Sequence, residues 1–243
     1  ALGSIFSLVS LRFPFLADGV LSLVAFLVAF VLLKDTQKVK PEHDLKLLYG
    51  LKSTFANRQI YVYLLMGISG LFSWGILESF VPTKAQIIGL PAWQIGLIIT
   101  GGAIVFSIIS YTVGPLSDRF GRKAFVILSQ VVILGAAISL IGSNSFVMLL
   151  LFYGIFCVGE ATTYLLCFVY AAEAFDKRYM GTSMAAFDSV MDLSLFLGPL
   201  IAISVYGFIG RITPVFLVAI VPTALAFFST AIWLPRDTKQ TKL

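Results

Sequence analysis

The sequence predicts an all-α, polytopic membrane protein, and three observations predict it. Of its 243 residues 59% are hydrophobic and only 12% charged, with a mean hydropathy of +0.98, whereas water-soluble domains are about half apolar and about a quarter charged. The apolar residues gather into continuous runs of about 20, the length a helix needs to cross a hydrocarbon core. Turn-forming residues fall between the runs: Pro82, Gly89 and Pro91; Gly142, Ser143, Asn144 and Ser145; Gly207, Gly210 and Pro214. This composition excludes a soluble enzyme, a disordered tail and a nucleic-acid reader. A closed β-barrel would show alternating segments of about ten residues, and these runs are unbroken and twice that length.

The elements follow in order. Residues 1–10 are apolar but cover only half a bilayer at about 1.5 Å per residue, so they read as the end of a helix that begins further upstream. Residues 14–33 form the first full span. The one long loop, 34–59, opens with KDTQKVKPEHDLK and forms the domain boundary. Six spans then follow on short loops: 60–81, 93–113, 124–142, 146–172, 182–206 and 212–234. The expected organisation is therefore 1–33, a connector 34–59, a six-helix unit 60–235 and a tail 236–243. With neither an initiating Met nor a signal-peptide layout, the chain reads as part of a larger membrane protein.

Basic residues set the orientation. If the long loop is cytoplasmic, alternation puts every one of the 17 Lys and Arg inside except Arg12, Lys84 and Arg211, the bias that topology follows. Cys157 and Cys167 lie ten residues apart in one span, beyond disulfide reach along a helix, and say nothing about redox compartment.

Between the second and third spans of the six the chain reads Gly114-Pro115-Leu116-Ser117-Asp118-Arg119-Phe120-Gly121-Arg122-Lys123. Gly114 would let two helices approach closely, Gly121 supplies a backbone conformation for a tight turn, and Asp118 can accept backbone N–H groups or pair with Arg122 four residues on. This segment resembles the cytoplasmic loop signature of the major facilitator superfamily, G-x-L-(A/S)-D-R-x-G-R-(K/R). In that family a second charged segment follows the fourth helix of a half; here Glu173, Phe175 and Gly181 match it, while Asp176 and Met180 stand where Pro and Arg are usual. Of these, Glu173 carries over as a partner for Arg122 or Lys123.

The resemblance implies a twelve-helix transporter built from two six-helix halves. On it, 1–33 is the end of helix five with helix six, 34–59 joins the halves, and 60–235 is the C-terminal half, its N-terminal partner half lying outside this chain. Gly114, Asp118, Arg119, Gly121, Arg122, Lys123 and Glu173 would latch one alternating-access conformation shut on the cytoplasmic side. Gly198-Pro199 is similar to the Gly-Pro bend of drug antiporters.

Acids at membrane depth are the other candidates, since a charge there costs at least about 2.5–3.5 kcal/mol and usually faces a cavity or a partner. Glu160 lies near the middle of 146–172, with Tyr164 one turn on. Asp188 and Asp192 are four residues apart on one helix face, where neighbouring carboxylates cannot both ionise cheaply. That points to proton coupling. Tyr63, Gly67, Gly70, Trp74 and Glu78 form one stripe, either cavity wall or packing seam; Glu78 and Asp18 sit nearer outer helix ends and can reach interfacial water.

The single histidine, His43, lies in the connector, so neither a His-based metal site nor a Ser/His/Asp set is expected in the membrane region. No phosphate-binding glycine loop, cofactor or nucleic-acid contact is expected. The resulting expectation is a multi-pass cell-membrane carrier for a small-molecule substrate and protons, with Glu160, Asp188, Asp192, Tyr164, Trp74 and Glu78 around the cavity. It would export lipophilic or cationic molecules. The alternatives are a facilitator-type metabolite or sugar carrier and a non-transporting membrane sensor.

Overall fold

The computed structural model describes residues 13–32 and 54–234. Its helices are α1 (Phe13–Leu32), α2 (Arg58–Ile87), α3 (Ala92–Phe120), α4 (Arg122–Gly142), α5 (Phe146–Ala174), α6 (Met180–Ile209) and α7 (Thr213–Trp233), with a 3₁₀ turn at Lys177–Tyr179 before α6. The six helices α2 to α7 are long and apolar enough to cross a membrane. The expected half-span 1–10, His43 with most of the connector, and the tail 236–243 lie outside the described residues.

Local chemistry explains most boundaries. The Asn57 side chain accepts from the Gln59 N–H at the start of α2, and the Ser145 hydroxyl accepts from the Met148 N–H at the start of α5, each meeting a donor that a helix start leaves unpaired. Gly210 closes α6 in a left-handed conformation with φ +68, a geometry open to glycine at little cost.

Two expected borders moved. The turn expected at Pro82 lies inside α2, which continues to Ile87, and the expected 114–123 loop is mostly helix, because α3 runs to Phe120. Proline does not stop these helices, as membrane helices packed by their neighbours tolerate it; beside Pro82, Ser79 donates to Gly75 O at 2.8 Å and Thr83 to Ser79 O at 3.0 Å. The loop between α3 and α4 is one residue, Gly121, with φ +102.

α2 lies at the centre, packed on α5, α6 and α7; α3 packs on α5, and α4 on α5 and α7. The helices meet at small residues, the close-packing mode available where lipid supplies no hydrophobic drive between helices. A Cβ at Gly198 of α6 would lie 2.5 Å from Phe72 O of α2, and one at Gly159 of α5 would lie 2.7 Å from Ser129 O of α4. α1 turns apolar side chains such as Phe26 and Phe30 outward, not into this bundle.

Apolar packing forms one cluster toward the basic end, around Tyr63, Met66, Tyr170 and Phe187. Another forms toward the opposite end, around Leu77, Leu149, Tyr153 and Phe216. Between these clusters along α2 and α5 fall the buried polar residues Ser73, Glu160, Thr162 and Thr163.

Candidate functional site

Glu160 stands halfway along α5 and is 1% exposed. Its carboxyl lies against the backbone of Gly70 on α2: a Cβ added there would sit 2.6 Å from Oε1 and 3.0 Å from Oε2. Neither oxygen has a hydrogen-bond partner. Burying an unpaired acceptor costs about 1–3 kcal/mol, and far more if it is ionised. Among the described residues no ion pair is made by Glu160.

The other acids are not brought into the same enclosure. Asp188 is half-buried and Asp192 exposed on α6, while Glu78 is exposed on α2 and accepts from Trp74 Nε1 at 2.8 Å. Asp188 and Asp192 lie four residues apart on one face of α6. Tyr164, half-buried on α5, packs between Phe106 and Phe168. Asp18, on α1, is exposed.

Half-buried aromatic side chains join these groups into one wall. Trp74 meets Phe106 of α3 edge-on with centroids 5.0 Å apart, Phe106 lies 6.1 Å from Tyr164, and Tyr164 packs edge-on against Phe168 at 4.9 Å. Such pairs are preferred arrangements of ring quadrupoles. Sequence reasoning missed Phe106 and Phe168, because in apolar spans periodicity does not separate a wall residue from one facing lipid. The expected stripe on α2 divides: Gly67 is covered by Met191 and Gly70 by Glu160, a packing seam, while Trp74 and Glu78 belong to the wall.

At the basic end, Arg122 spans three helices. Its Nε donates to Asp118 Oδ1 of α3 at 2.7 Å and its Nη1 to Glu173 Oε1 of α5 at 2.5 Å. Lys123 donates from Nζ to Ala231 O and Leu234 O, 3.1 and 2.6 Å away, closing the end of α7. The Arg119 guanidinium lies over the Phe120 ring at 5.4 Å. Among the described residues no helix packs against Gly114, where a Cβ would meet nothing within 4 Å.

Lys84, expected on the outer side just past the span 60–81, lies within α2. It is buried in α2, its Nζ donating to Leu140 O at 2.5 Å and Ile141 O at 2.8 Å, so it caps α4. A cation is favoured at a helix C-terminus by the unpaired carbonyls and the dipole.

A family model for the Major Facilitator Superfamily matches residues 63–243. The chain belongs to the major facilitator superfamily. It is a multi-pass membrane protein of that superfamily, with α2 to α7 as its membrane-crossing helices. Over 158 residues it is 30% identical to "Sugar efflux transporter A" of Dickeya chrysanthemi. That match covers 61% of this chain and 39% of the relative, so the superfamily chain spans well under two thirds of that protein's length.

Proposed function

We propose that this chain supplies the C-terminal six-helix half, together with α1 from the N-terminal half, of a secondary transporter that exports a small organic molecule in exchange for protons. The carrying observation is Glu160, a carboxyl at mid-helix depth, 1% exposed, with both oxygens unpartnered. A group in that position alternates between a neutral form, stable in apolar surroundings, and a charged form that must move or be hydrated. Coupling follows if the aromatic wall changes access when that proton comes or goes. Asp188 and Asp192 then tune the wall through Tyr164, and Glu78 marks its outer end. Arg122, joined to Asp118 and Glu173, is the cytoplasmic latch of one conformation.

Rings flanked by carboxylates suit lipophilic or cationic molecules, because ring faces attract cations and contribute more when desolvated. A second reading, sugar export, is favoured by the relative named as a sugar efflux transporter. Ring faces and carboxylate acceptors also suit a neutral sugar. Flux of ethidium and of lactose through proteoliposomes holding the intact transporter, under an imposed pH gradient, separates these. Gradient-driven ethidium flux supports the first reading and lactose flux the second. Flux that ignores both the gradient and Glu160→Gln sinks proton coupling, and ligand binding without any flux leaves a membrane sensor.

A further inference from the structure

We propose that Glu78 is a positioning residue, which holds Trp74 in the orientation that puts its indole into the aromatic wall and does not itself pair with the transported molecule. This rests on reading that wall as the substrate surface. The Trp74 Nε1–H donates to Glu78 Oε2 at 2.8 Å, one turn further along α2. The ring held in this way is half-buried. It meets Phe106 of α3 edge-on with centroids 5.0 Å apart and lies tilted beside Phe156 of α5 at 6.3 Å. Phe106 in turn adjoins Tyr164 of α5 at 6.1 Å. Trp74 is therefore the ring that joins α2 to the rest of the wall, and one hydrogen bond sets its angle.

An indole has one polar group, and it only donates. Leaving that N–H unmet in apolar surroundings is costly, so a tryptophan there takes whichever acceptor it can reach. On a helix the side chains within reach lie three and four residues away; for Trp74 they are Gly70, Leu71, Leu77 and Glu78. Of these four only Glu78 carries an acceptor. Phe106 and Phe156 offer rings and no oxygen. The hydroxyls next along α2 are turned to their own helix, Ser79 donating to Gly75 O and Thr83 to Ser79 O.

With Glu78 in place the N–H is taken, and the accessible part of the ring presents carbon and π-density without a donor. Such a surface stacks against a flat apolar body, a cation or the C–H face of a sugar, so the role is common to both substrate readings. Without the acceptor the indole turns to seek another partner, and its edge-on contact with Phe106 goes with it. A glutamine at this position separates orientation from charge, because its amide oxygen accepts the same N–H and carries no charge. A leucine removes both.

The test uses the intact transporter in proteoliposomes and has two readouts. The ultraviolet resonance Raman bands of Trp74, isolated as the difference between wild type and Trp74→Leu, report the hydrogen bonding of its N–H. They should be the same in Glu78→Gln and altered in Glu78→Leu. Counterflow exchange of ethidium and of lactose, which needs no pH gradient, gives KM for the probe that is carried. Trp74→Leu and Glu78→Leu should each raise that KM by about tenfold, the scale of one aromatic contact. Combining them should raise it no further, since residues that act as a unit do not add, and Glu78→Gln should keep the wild-type KM. If Glu78→Leu does not fold, Glu78→Met carries the same expectations. An equal rise in KM for the glutamine and leucine variants would put the carboxylate charge on the substrate and overturn the positioning role. Raman bands unchanged in Glu78→Leu would overturn it too. A wild-type KM in Trp74→Leu, or counterflow of neither probe in the wild type, overturns the wall as the substrate surface and the positioning role with it.

Discussion

A methyl group at Gly70 would meet the Glu160 carboxyl, so the two positions are energetically one unit. Gly70→Ala should destabilise the protein by about 1–3 kcal/mol, the usual range for overpacking. Adding Glu160→Ala should recover part of that loss, because neighbouring sites couple and do not add. Thermal unfolding of the four variants of this cycle checks it, and strict additivity would disprove the contact. Glu160→Gln keeps the shape and removes the titration. Gradient-driven flux should fall by about a hundredfold or more, as when an essential acid–base group is lost, while substrate exchange without a gradient persists. Equal loss of both would assign Glu160 to substrate binding instead.

At the scale of the element, two lysines close the ends of the supporting helices, Lys84 on α4 and Lys123 on α7. Lys84→Met fills the same volume but strips the Leu140 and Ile141 carbonyls of their donor. The expected cost is about 1–3 kcal/mol for a buried acceptor left unmet, read as a lower thermal midpoint without a change in substrate affinity. The Arg122 junction behaves differently. Its acid partners Asp118 and Glu173 are exposed, and exposed ion pairs contribute about 0–1 kcal/mol. Glu173→Gln should therefore leave unfolding nearly unchanged and raise the reactivity of a cysteine placed at the cytoplasmic mouth. Reduced reactivity would show that this junction does not hold the mouth shut. High salt should mimic the substitution, since exposed charges are screened.

For the molecule as a whole, half-buried Trp74, Phe106, Tyr164 and Phe168 form a wall on one side of a six-helix bundle, and the large apolar side chains of α1 stay exposed. A wall of that kind encloses a substrate only against a second wall. Reconstituted alone, the 243-residue chain should give no uphill flux, and co-reconstitution with six complementary helices should restore it. Flux from this chain alone would mean that the cavity lies inside the bundle.

The six long apolar spans and the Asp118, Arg122 and Glu173 charge set were legible in the amino-acid order, because apolar length and local motifs need no tertiary partner. Burial of Glu160 was only half legible: mid-span position announced an expensive acid, but its seat on Gly70 depends on where α2 crosses α5. The same dependence hid the capping role of Lys84, the open space at Gly114 and the division of the Tyr63 to Glu78 stripe into seam and wall. In a chain apolar on every side, hydrophobic periodicity does not mark which face meets lipid and which meets another helix. Close contact between helix backbones made that choice.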